Sequence, residues 1–227
     1  MRDTEGRYID TLFLYNCLMS KHAYNLFQQT QFMTSAARIH QCPEDAGFEI
    51  AFAGRSNAGK SSAINAITQQ SKLAKTSKTP GRTQLLNFFQ VDSTAHRLVD
   101  LPGYGYAKVP LAEKKKWEVF IDDYLRARNS LCGLVLIMDI RRPLTEFDQT
   151  ILEWTEQCGL QTHILLSKAD KLNFGTAKSS LLKVQNHLKA QPLISVQTFS
   201  ATKYTGVDDA RALLGNWLKL NQTQTDH

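Results

Sequence analysis

From Phe48 onward, short apolar runs alternate with amphipathic stretches along the chain. The apolar runs predict six β-strands, at 48–53, 85–91, 97–101, 131–139, 162–166 and 194–199. Several runs are unbroken, which is typical of strands buried on both faces of a sheet. The stretches between them predict helices at 61–69, 111–128, 146–157, 177–190 and 208–218, although Gly215 weakens the last.

This alternation predicts an α/β fold, in which a mostly parallel six-stranded sheet carries helices on both faces. Residues 1–45 do not follow the alternation, and we expect them to form a partly helical N-terminal extension. Residues 46–220 would form the sheet domain, and residues 221–227 a polar C-terminal tail.

Composition narrows the class of protein. The 227 residues are 42% hydrophobic and 21% charged, which is close to a globular average and excludes collagen-like, low-complexity and largely disordered chains. A net charge of +6 suggests a polyanionic partner. The four cysteines have no metal-site spacing and predict free thiols in a reducing compartment. No apolar stretch is long enough to span a membrane, so we expect a cytoplasmic protein without a membrane partner.

The first predicted strand runs directly into a glycine-rich loop that matches G-x-x-x-x-G-K-[ST]. Such a loop wraps its backbone N–H groups around phosphates, while its lysine reaches the β- and γ-phosphates and its hydroxyl ligates Mg²⁺. The chain is therefore predicted to contain a P-loop. Its phosphate-binding residues would be Gly54, Arg55, Ser56, Asn57, Ala58, Gly59, Lys60, Ser61 and Ser62.

A second motif, D-x-x-G, ends the strand at 97–101 and consists of Asp100, Leu101, Pro102 and Gly103. The Asp100 carboxylate would meet Mg²⁺ through a water, and the Gly103 N–H would sense the γ-phosphate. Between the two motifs lies a loop with Gly81, Arg82 and Thr83, in which the Thr83 hydroxyl is the candidate second Mg²⁺ ligand.

Two further strand ends carry residues suited to a guanine base. Ser167, Lys168, Ala169 and Asp170 resemble [NT]-K-x-D, and Asp170 can accept hydrogen bonds from N1–H and the 2-amino group of guanine. Phe199, Ser200 and Ala201 follow the last strand, where a backbone N–H could reach guanine O6. Four such elements in order predict a Ras-like G domain of the P-loop NTPase class that binds GTP and GDP with Mg²⁺.

With these motifs, the chain resembles the EngB/YsxC/YihA type of bacterial GTPase over about residues 48–220. The most particular stretches are GRSNAGKSS, TPGRTQ and DLPGYGYAKV. The resemblance implies a role in assembling the large ribosomal subunit, a link to normal cell division and septation, a need for Mg²⁺ and slow intrinsic GTP hydrolysis. Ser167 departs from the more usual Thr, and we expect guanine preference to persist with altered affinity.

No catalytic base is visible in the sequence. Tyr104 occupies the position directly after D-x-x-G where Ras-like enzymes have a water-orienting Gln, and a phenol cannot place the water as an amide does. We therefore expect slow turnover, supported by Lys60, Thr83 and Gly103 and stimulated by the ribosomal particle. Asn57 is either a loop-stabilising amide or a ligand of K⁺ near the phosphates.

The basic residues leave alternatives open. Lys72, Lys75, Lys78 and Arg82 flank the Thr83 loop, and they form either a solvated surface or a contact to RNA phosphates. The lysine run at 114–116 is more typical of a solvated helix face, whereas Arg141 and Arg142 end a strand on the nucleotide side. A GTP-dependent, monomeric assembly factor is the first hypothesis. A P-loop kinase and a GTP-stabilised RNA-binding module with incidental hydrolysis are the alternatives.

Overall fold

The computed structural model describes residues 25–75, 85–104 and 111–220, without the side chains of 111–114. Within these ranges a seven-stranded sheet forms the centre of the molecule, in the order β1-β3-β4-β2-β5-β6-β7. The strands are β1 (Gln31–Ala36), β2 (Phe48–Gly54), β3 (Leu86–Gln90), β4 (His96–Asp100), β5 (Leu131–Asp139), β6 (Thr162–Ser167) and β7 (Ile194–Thr198). Pairing is parallel from β4 through β7, and antiparallel for β1 with β3 and for β3 with β4.

Five helices of the described residues cover both faces of the sheet, as predicted. They are α1 (Lys60–Thr68), α2 (Leu111–Ala127), α3 (Glu146–Gln157), α4 (Phe174–His187) and α5 (Val207–Trp217). Apolar residues of α2, α3 and α4 pack into one buried cluster, and those of α1 and α5 pack into the other. The central strands are buried on both sides by these layers, which explains their unbroken apolar sequences.

The sheet has seven strands rather than the predicted six, because a strand lies within the predicted N-terminal extension. β1 pairs antiparallel with β3, from Gln31 opposite Gln90 to Ala36 opposite Leu86. The rings of Phe32 and Phe89 meet edge to face across this pair, with centroids 6.0 Å apart. The six residues of β1 have weak alternation of their own, so only the pairing with β3 makes them a strand.

A charged network is buried at the end of the sheet where β2 begins. The Glu49 carboxylate is fully buried and accepts hydrogen bonds from Arg97 Nε at 2.8 Å, Arg128 Nε at 3.2 Å and the Tyr124 hydroxyl at 3.0 Å. The two guanidinium groups also donate to backbone carbonyls of residues 43–46, which immediately precede β2. The network therefore anchors the entry of the chain into the sheet.

Membrane segments and disulfides were both predicted to be absent. Among the described residues, no helix combines the length and apolar character that crossing a bilayer requires. In the same ranges, Cys42, Cys132 and Cys158 are free thiols, in agreement with the prediction for these three. Cys17 lies outside the described residues.

Candidate nucleotide-binding site

The predicted P-loop is the connection between β2 and α1, and its glycines meet two different requirements. A Cβ on Gly54 would lie 2.9 Å from the carbonyl oxygen of Ile137 on β5, so only glycine fits at the end of this central strand. Gly59 has a φ of 102° and immediately precedes α1. This left-handed turn directs the chain into the helix, whose first N–H groups have no partner within the helix and are suited to binding phosphate.

Lys60 and Asp100 meet at the start of α1. The Lys60 ammonium forms a largely buried ion pair with the carboxylate of Asp100, which ends β4. Ser61 follows on the same first turn, and its hydroxyl lies 3.4 Å from the carbonyl oxygen of Lys75. Two motifs far apart in sequence are therefore in contact at one edge of the sheet.

The D-x-x-G loop passes directly beside the P-loop. Tyr104 forms a parallel bridge with Arg55, and its carbonyl accepts a hydrogen bond from the Ser56 N–H at 2.7 Å. Gly103 lies against the same segment, since a Cβ there would be 3.7 Å from the nitrogen of Ser56. The Trp117 indole N–H donates to the Pro102 carbonyl at 3.2 Å and connects this loop to α2.

The Tyr104 side chain lies in the protein interior. It is 3% exposed, its ring lies between those of Trp117 and Phe147, and its hydroxyl donates to Asp148 Oδ1 at 2.8 Å. Burial, reinforced by the adjacent Asp148 carboxylate, raises the pKa of Tyr104 well above its usual range. In this arrangement the phenol is not available to orient a water at the phosphates.

The two loops predicted to hold the base are joined to each other. Ser200 Oγ donates to Asp170 Oδ1 at 2.7 Å, and the Ala169 N–H donates to the Phe199 carbonyl at 3.1 Å. The hydrogen bond from Ser200 lowers the pKa of Asp170, which favours the ionised carboxylate that guanine requires as an acceptor. The Ser200 N–H is bonded to the Thr205 carbonyl at 3.0 Å, so Ala201 is a better candidate than Ser200 for the predicted backbone donor to the base.

Ser167 and Lys168 connect the base loops to the P-loop. The buried Ser167 hydroxyl lies 2.5 Å from the Ala58 carbonyl oxygen and 3.0 Å from that of Met138. The Lys168 ammonium contacts the Asn57 carbonyl oxygen at 2.6 Å and the Asp139 carboxylate at 3.0 Å. The predicted residues at these positions therefore hold the guanine-motif loop against the P-loop backbone.

Several predicted residues fall outside the described ranges. Gly81, Arg82 and Thr83 are among them, as are Lys78 and the stretch 105–110. Of the nucleotide-site predictions, the structure brings together those on the P-loop, the D-x-x-G loop and the two base loops. Ser62 lies exposed on the first turn of α1.

The described residues suit the way in which proteins bind Mg²⁺ beside a nucleotide. Within the described part of the chain, no group of three or more His, Cys, Asp or Glu side chains could hold a metal by itself. Mg²⁺ does not need such a group, because it retains waters and takes one or two protein oxygens together with phosphate oxygens. The Ser61 hydroxyl and the Asp100 carboxylate supply oxygens of this kind at the first turn of α1.

Two acidic residues of the site were not predicted. Asp139 ends β5 and binds Lys168 as well as the Arg141 guanidinium, whose hydrogen bonds lower the pKa of Asp139. Asp148 binds the Tyr104 hydroxyl through one oxygen and the N–H and hydroxyl of Thr145 through the other. A charged residue at the end of the apolar β5 run was a usable signal for Asp139. Asp148 carried no comparable signal, because its role depends on tertiary contacts.

Comparison with family models gives a match over residues 49–168, to the family described as 50S ribosome-binding GTPase. The matched region extends from the start of β2 to the guanine-motif lysine. It therefore contains the P-loop, the D-x-x-G loop and the beginning of the base-binding region.

Solved structures with the same fold include a protein described as "a probable GTP-binding protein engB". It aligns with a TM-score of 0.62 at 18% identity, over 76% of this chain and 99% of the other. A bacterial selenocysteine-specific elongation factor aligns with a TM-score of 0.56 at 19% identity, over 80% of this chain and 30% of the factor. The elongation factor SelB from Methanococcus maripaludis, in complex with a GTP analogue, aligns with a TM-score of 0.55 at 13% identity, over 78% of this chain and 35% of the factor. These likenesses establish the fold.

Proposed function

Because the chain belongs to the family of 50S ribosome-binding GTPases, we propose that it is a slow GTPase switch that assists assembly of the large ribosomal subunit. The EngB-type stretches of its sequence extend the proposal to normal cell division and septation. We place the protein in the cytoplasm as a monomer, with the large ribosomal subunit as its partner.

One observation carries the nucleotide part of this proposal. Four strand-end loops meet at one edge of the sheet, joined by the Lys60–Asp100 ion pair, the Ser56–Tyr104 backbone bond and the Ser200–Asp170 hydrogen bond. Carboxyl ends of parallel strands are where open α/β sheets bind their ligands. A phosphate cradle and an ionised carboxylate suited to guanine are therefore presented together.

The chain's own residues would act mainly by binding and positioning. Lys60 would exchange its contact with Asp100 for the β- and γ-phosphates, and Mg²⁺, held by Ser61, Thr83 and a water on Asp100, would neutralise phosphate charge. The Gly103 N–H would report the presence of the γ-phosphate. Asp170 would accept from N1–H and the 2-amino group of guanine, while Ala201 would donate to O6.

The buried position of Tyr104 supports slow unaided turnover. Its phenol is held in the interior by Asp148, so the residue after D-x-x-G provides no side chain for the attacking water. We propose that the missing group is supplied when the ribosomal particle binds, or by a K⁺ ion held near the phosphates by Asn57. Turnover measured in K⁺ and in Na⁺ tests the cation: we expect faster turnover in K⁺, and equal rates would exclude it.

The alternative function is a GTP-stabilised RNA-binding module with incidental hydrolysis, and the same burial of Tyr104 favours it. Co-sedimentation with large ribosomal subunits separates the two functions. The protein would be loaded with a non-hydrolysable GTP analogue, with GDP, with the matching ATP analogue or with no nucleotide. Retention specific to the GTP analogue supports the switch, and equal retention in every state supports the passive module. Absence of retention in all states would contradict the ribosomal role.

Guanine recognition is tested by Asp170→Asn. The exchange removes two hydrogen bonds to a charged acceptor, so we expect GTP affinity to fall about 100-fold or more. Xanthosine triphosphate, which has a carbonyl where guanine has the 2-amino group, should regain affinity. Titration with fluorescent nucleotides measures both, with Asp209→Asn at an exposed position of α5 as the charge-matched control. Unchanged GTP affinity in the Asp170 variant would contradict the assignment of this carboxylate to the base.

A further inference from the structure

A cavity of about 510 Å³ lies beside the P-loop, between the ends of β2 and β5 and the first turn of α3. The P-loop residues that line it are 55–58, whereas Gly59, Lys60 and Ser61 do not. These three residues form the start of α1, so the cavity does not include the first turn of that helix. It shares residues 55–58 with the phosphate-binding loop and extends from there to the end of β5 and to Arg142 and Asp148.

The lining of this cavity is basic. It contains four cationic side chains, from Arg55, Arg141, Arg142 and Lys168, and two carboxylates. The carboxylates already have partners, because Asp139 binds Arg141 and Lys168, and Asp148 binds Tyr104 and Thr145. The side chains that line the cavity therefore carry two more positive charges than negative charges.

Arg55 and Arg142 account for this excess. Both residues are exposed, and no ion pair joins either of them to another described residue. Arg55 is held by the bridge between its backbone and Tyr104, and Arg142 by the bond from its N–H to the Asp139 carbonyl at 2.9 Å. Two guanidinium groups on fixed backbone thus reach one cavity. Planar guanidinium groups bind phosphate oxygens in pairs of parallel hydrogen bonds.

We propose that this cavity binds a backbone phosphate of RNA, with Arg55 and Arg142 as its ligands. The inference rests on the proposed function, since it supplies the RNA contact that a ribosome-associated GTPase needs. The volume lies within the range of about 300–1,000 Å³ that is usual for ligand pockets. The net charge of +6 on the whole chain also favours the approach of a polyanion.

The site also has a consequence for the switch. Residues 55–58 belong to both the cavity and the P-loop, and the Lys168 ammonium bridges the Asn57 carbonyl and Asp139 at the cavity wall. A phosphate bound by Arg55 therefore sits against the backbone that wraps the nucleotide. We expect RNA affinity to differ between the GTP-analogue and GDP states for this reason.

The test is the salt dependence of binding to a fluorescein-labelled RNA hairpin of about twelve base pairs, measured with the full chain loaded with a GTP analogue. Each lost phosphate contact lowers the slope of log K against log salt by about one. Because both guanidinium groups bind the same phosphate, we expect the double variant Arg55→Gln/Arg142→Gln to lose about one unit of slope, and Arg142→Gln alone to show a smaller loss. The control, Lys183→Gln/Lys189→Gln on and just after α4, removes the same charge from an exposed surface outside the cavity.

Four outcomes would overturn the proposal. The first is an unchanged slope in the arginine variants, and the second is an equal loss in the lysine control. The third is that polyglutamate displaces the hairpin as well as unlabelled RNA does at the same concentration of charge. That result would assign the cavity to an acidic protein segment. Saturable binding of inorganic phosphate that Arg142→Gln abolishes, without an effect on the hairpin, would assign it to free phosphate instead.

Nucleotide affinity is measured for every variant in parallel. This measurement separates loss of the phosphate ligands from disruption of the P-loop. Disruption of the P-loop would lower GTP affinity in the variant that carries Arg55→Gln, but not in Arg142→Gln alone. Since a generic hairpin is the probe, the result is independent of the ribosome. The protein could fail to co-sediment with the large ribosomal subunit and still show the expected salt dependence of hairpin binding. That result would overturn the ribosomal role and leave the cavity assignment in place.

Discussion

At the residue scale, Tyr104 shows how a position in a motif and the direction of a side chain are separate properties. The sequence places Tyr104 directly after D-x-x-G, and this position was predictable. Its burial against Trp117 and Phe147 was not, because it depends on two helices that come later in the chain. The consequence for the proposed function is that Tyr104 stabilises the loop and offers no side chain to an attacking water.

Removal of the Tyr104 hydroxyl should be costly for stability. In Tyr104→Phe the ring still fills its site, but Asp148 Oδ1 loses its donor in the interior, so we expect a loss of about 1–3 kcal/mol in the free energy of unfolding. Urea denaturation measures this change in the free energy of unfolding. Because the phenol takes no part in the chemistry, intrinsic GTP turnover in the folded variant should stay close to wild type. A loss of turnover greater than about tenfold, at unchanged nucleotide affinity, would contradict this role.

Ser167 illustrates what can be predicted about a replaced motif residue. The sequence indicated that a hydroxyl was retained and that guanine preference would persist. In the structure the hydroxyl contacts the carbonyls of Ala58 and Met138 and joins the P-loop to β5 and β6, while the guanine preference stays a prediction. A sequence motif identifies the residue type, whereas the hydrogen-bond partners of that residue depend on how the loops pack together.

At the scale of elements, the positions of the central strands and helices were predictable. Their apolar runs are long, and burial on both faces leaves few alternatives to a strand. β1 was missed because an edge strand packs one face only and pairs with a strand more than fifty residues later. Its contribution is a non-local contact, for which a short sequence pattern contains no signal.

Gly133 on β5 shows how a strand and a helix fit together. A Cβ at this position would lie 2.5 Å from Cζ3 and 3.0 Å from Cδ2 of Trp217, whose ring packs on the strand at the end of α5. Glycine is required at this position because it has no side chain, which allows the close approach of the ring. The backbone conformation does not require it. Gly133 thereby sets the distance of α5 from the sheet.

We expect Gly133→Ala to lower the free energy of unfolding by about 1–3 kcal/mol, because the added methyl overpacks the interface with Trp217. Thermal or urea denaturation gives the value, and tryptophan fluorescence reports the displaced ring. Gly175→Ala in the first turn of α4 is the matched control, since only Asn173 Oδ1 lies near the new methyl, at 3.6 Å. There alanine should be neutral or stabilising. Equal losses in the two variants would show that the Trp217 contact is not the cause.

At the scale of the whole molecule, chemistry and anchoring are located at opposite ends of the sheet. The nucleotide loops follow the carboxyl ends of the parallel strands, whereas the Glu49 network lies where β2 begins. The first arrangement was predictable, because parallel strands bring their carboxyl ends to one edge. The network was not, since the sequence alone does not reveal which of many scattered charges become buried together.

Arg128→Met should separate stability from nucleotide binding. It leaves the buried Glu49 carboxylate with fewer partners, so we expect a loss of about 3 kcal/mol or more in the free energy of unfolding. GTP affinity in the folded variant should remain within about twofold of wild type. Arg126→Met removes a similar side chain from an exposed ion pair with Asp122 and should cost much less, because solvent screens exposed ion pairs. Urea denaturation together with nucleotide titration distinguishes the two outcomes, and a mild loss in both variants would contradict the role of the network.

The edge position of β1 has a consequence for the order of events during synthesis. β1 is the first described strand to leave the ribosome, yet its partner β3 is residues 86–90, and β3 in turn pairs with β4 at 96–100. A growing chain therefore has an unpaired β1 until β3 and β4 have both emerged. We therefore expect closure of this edge to be a late step of folding, and amide hydrogens of β1 to exchange with solvent before those of β2 and β5.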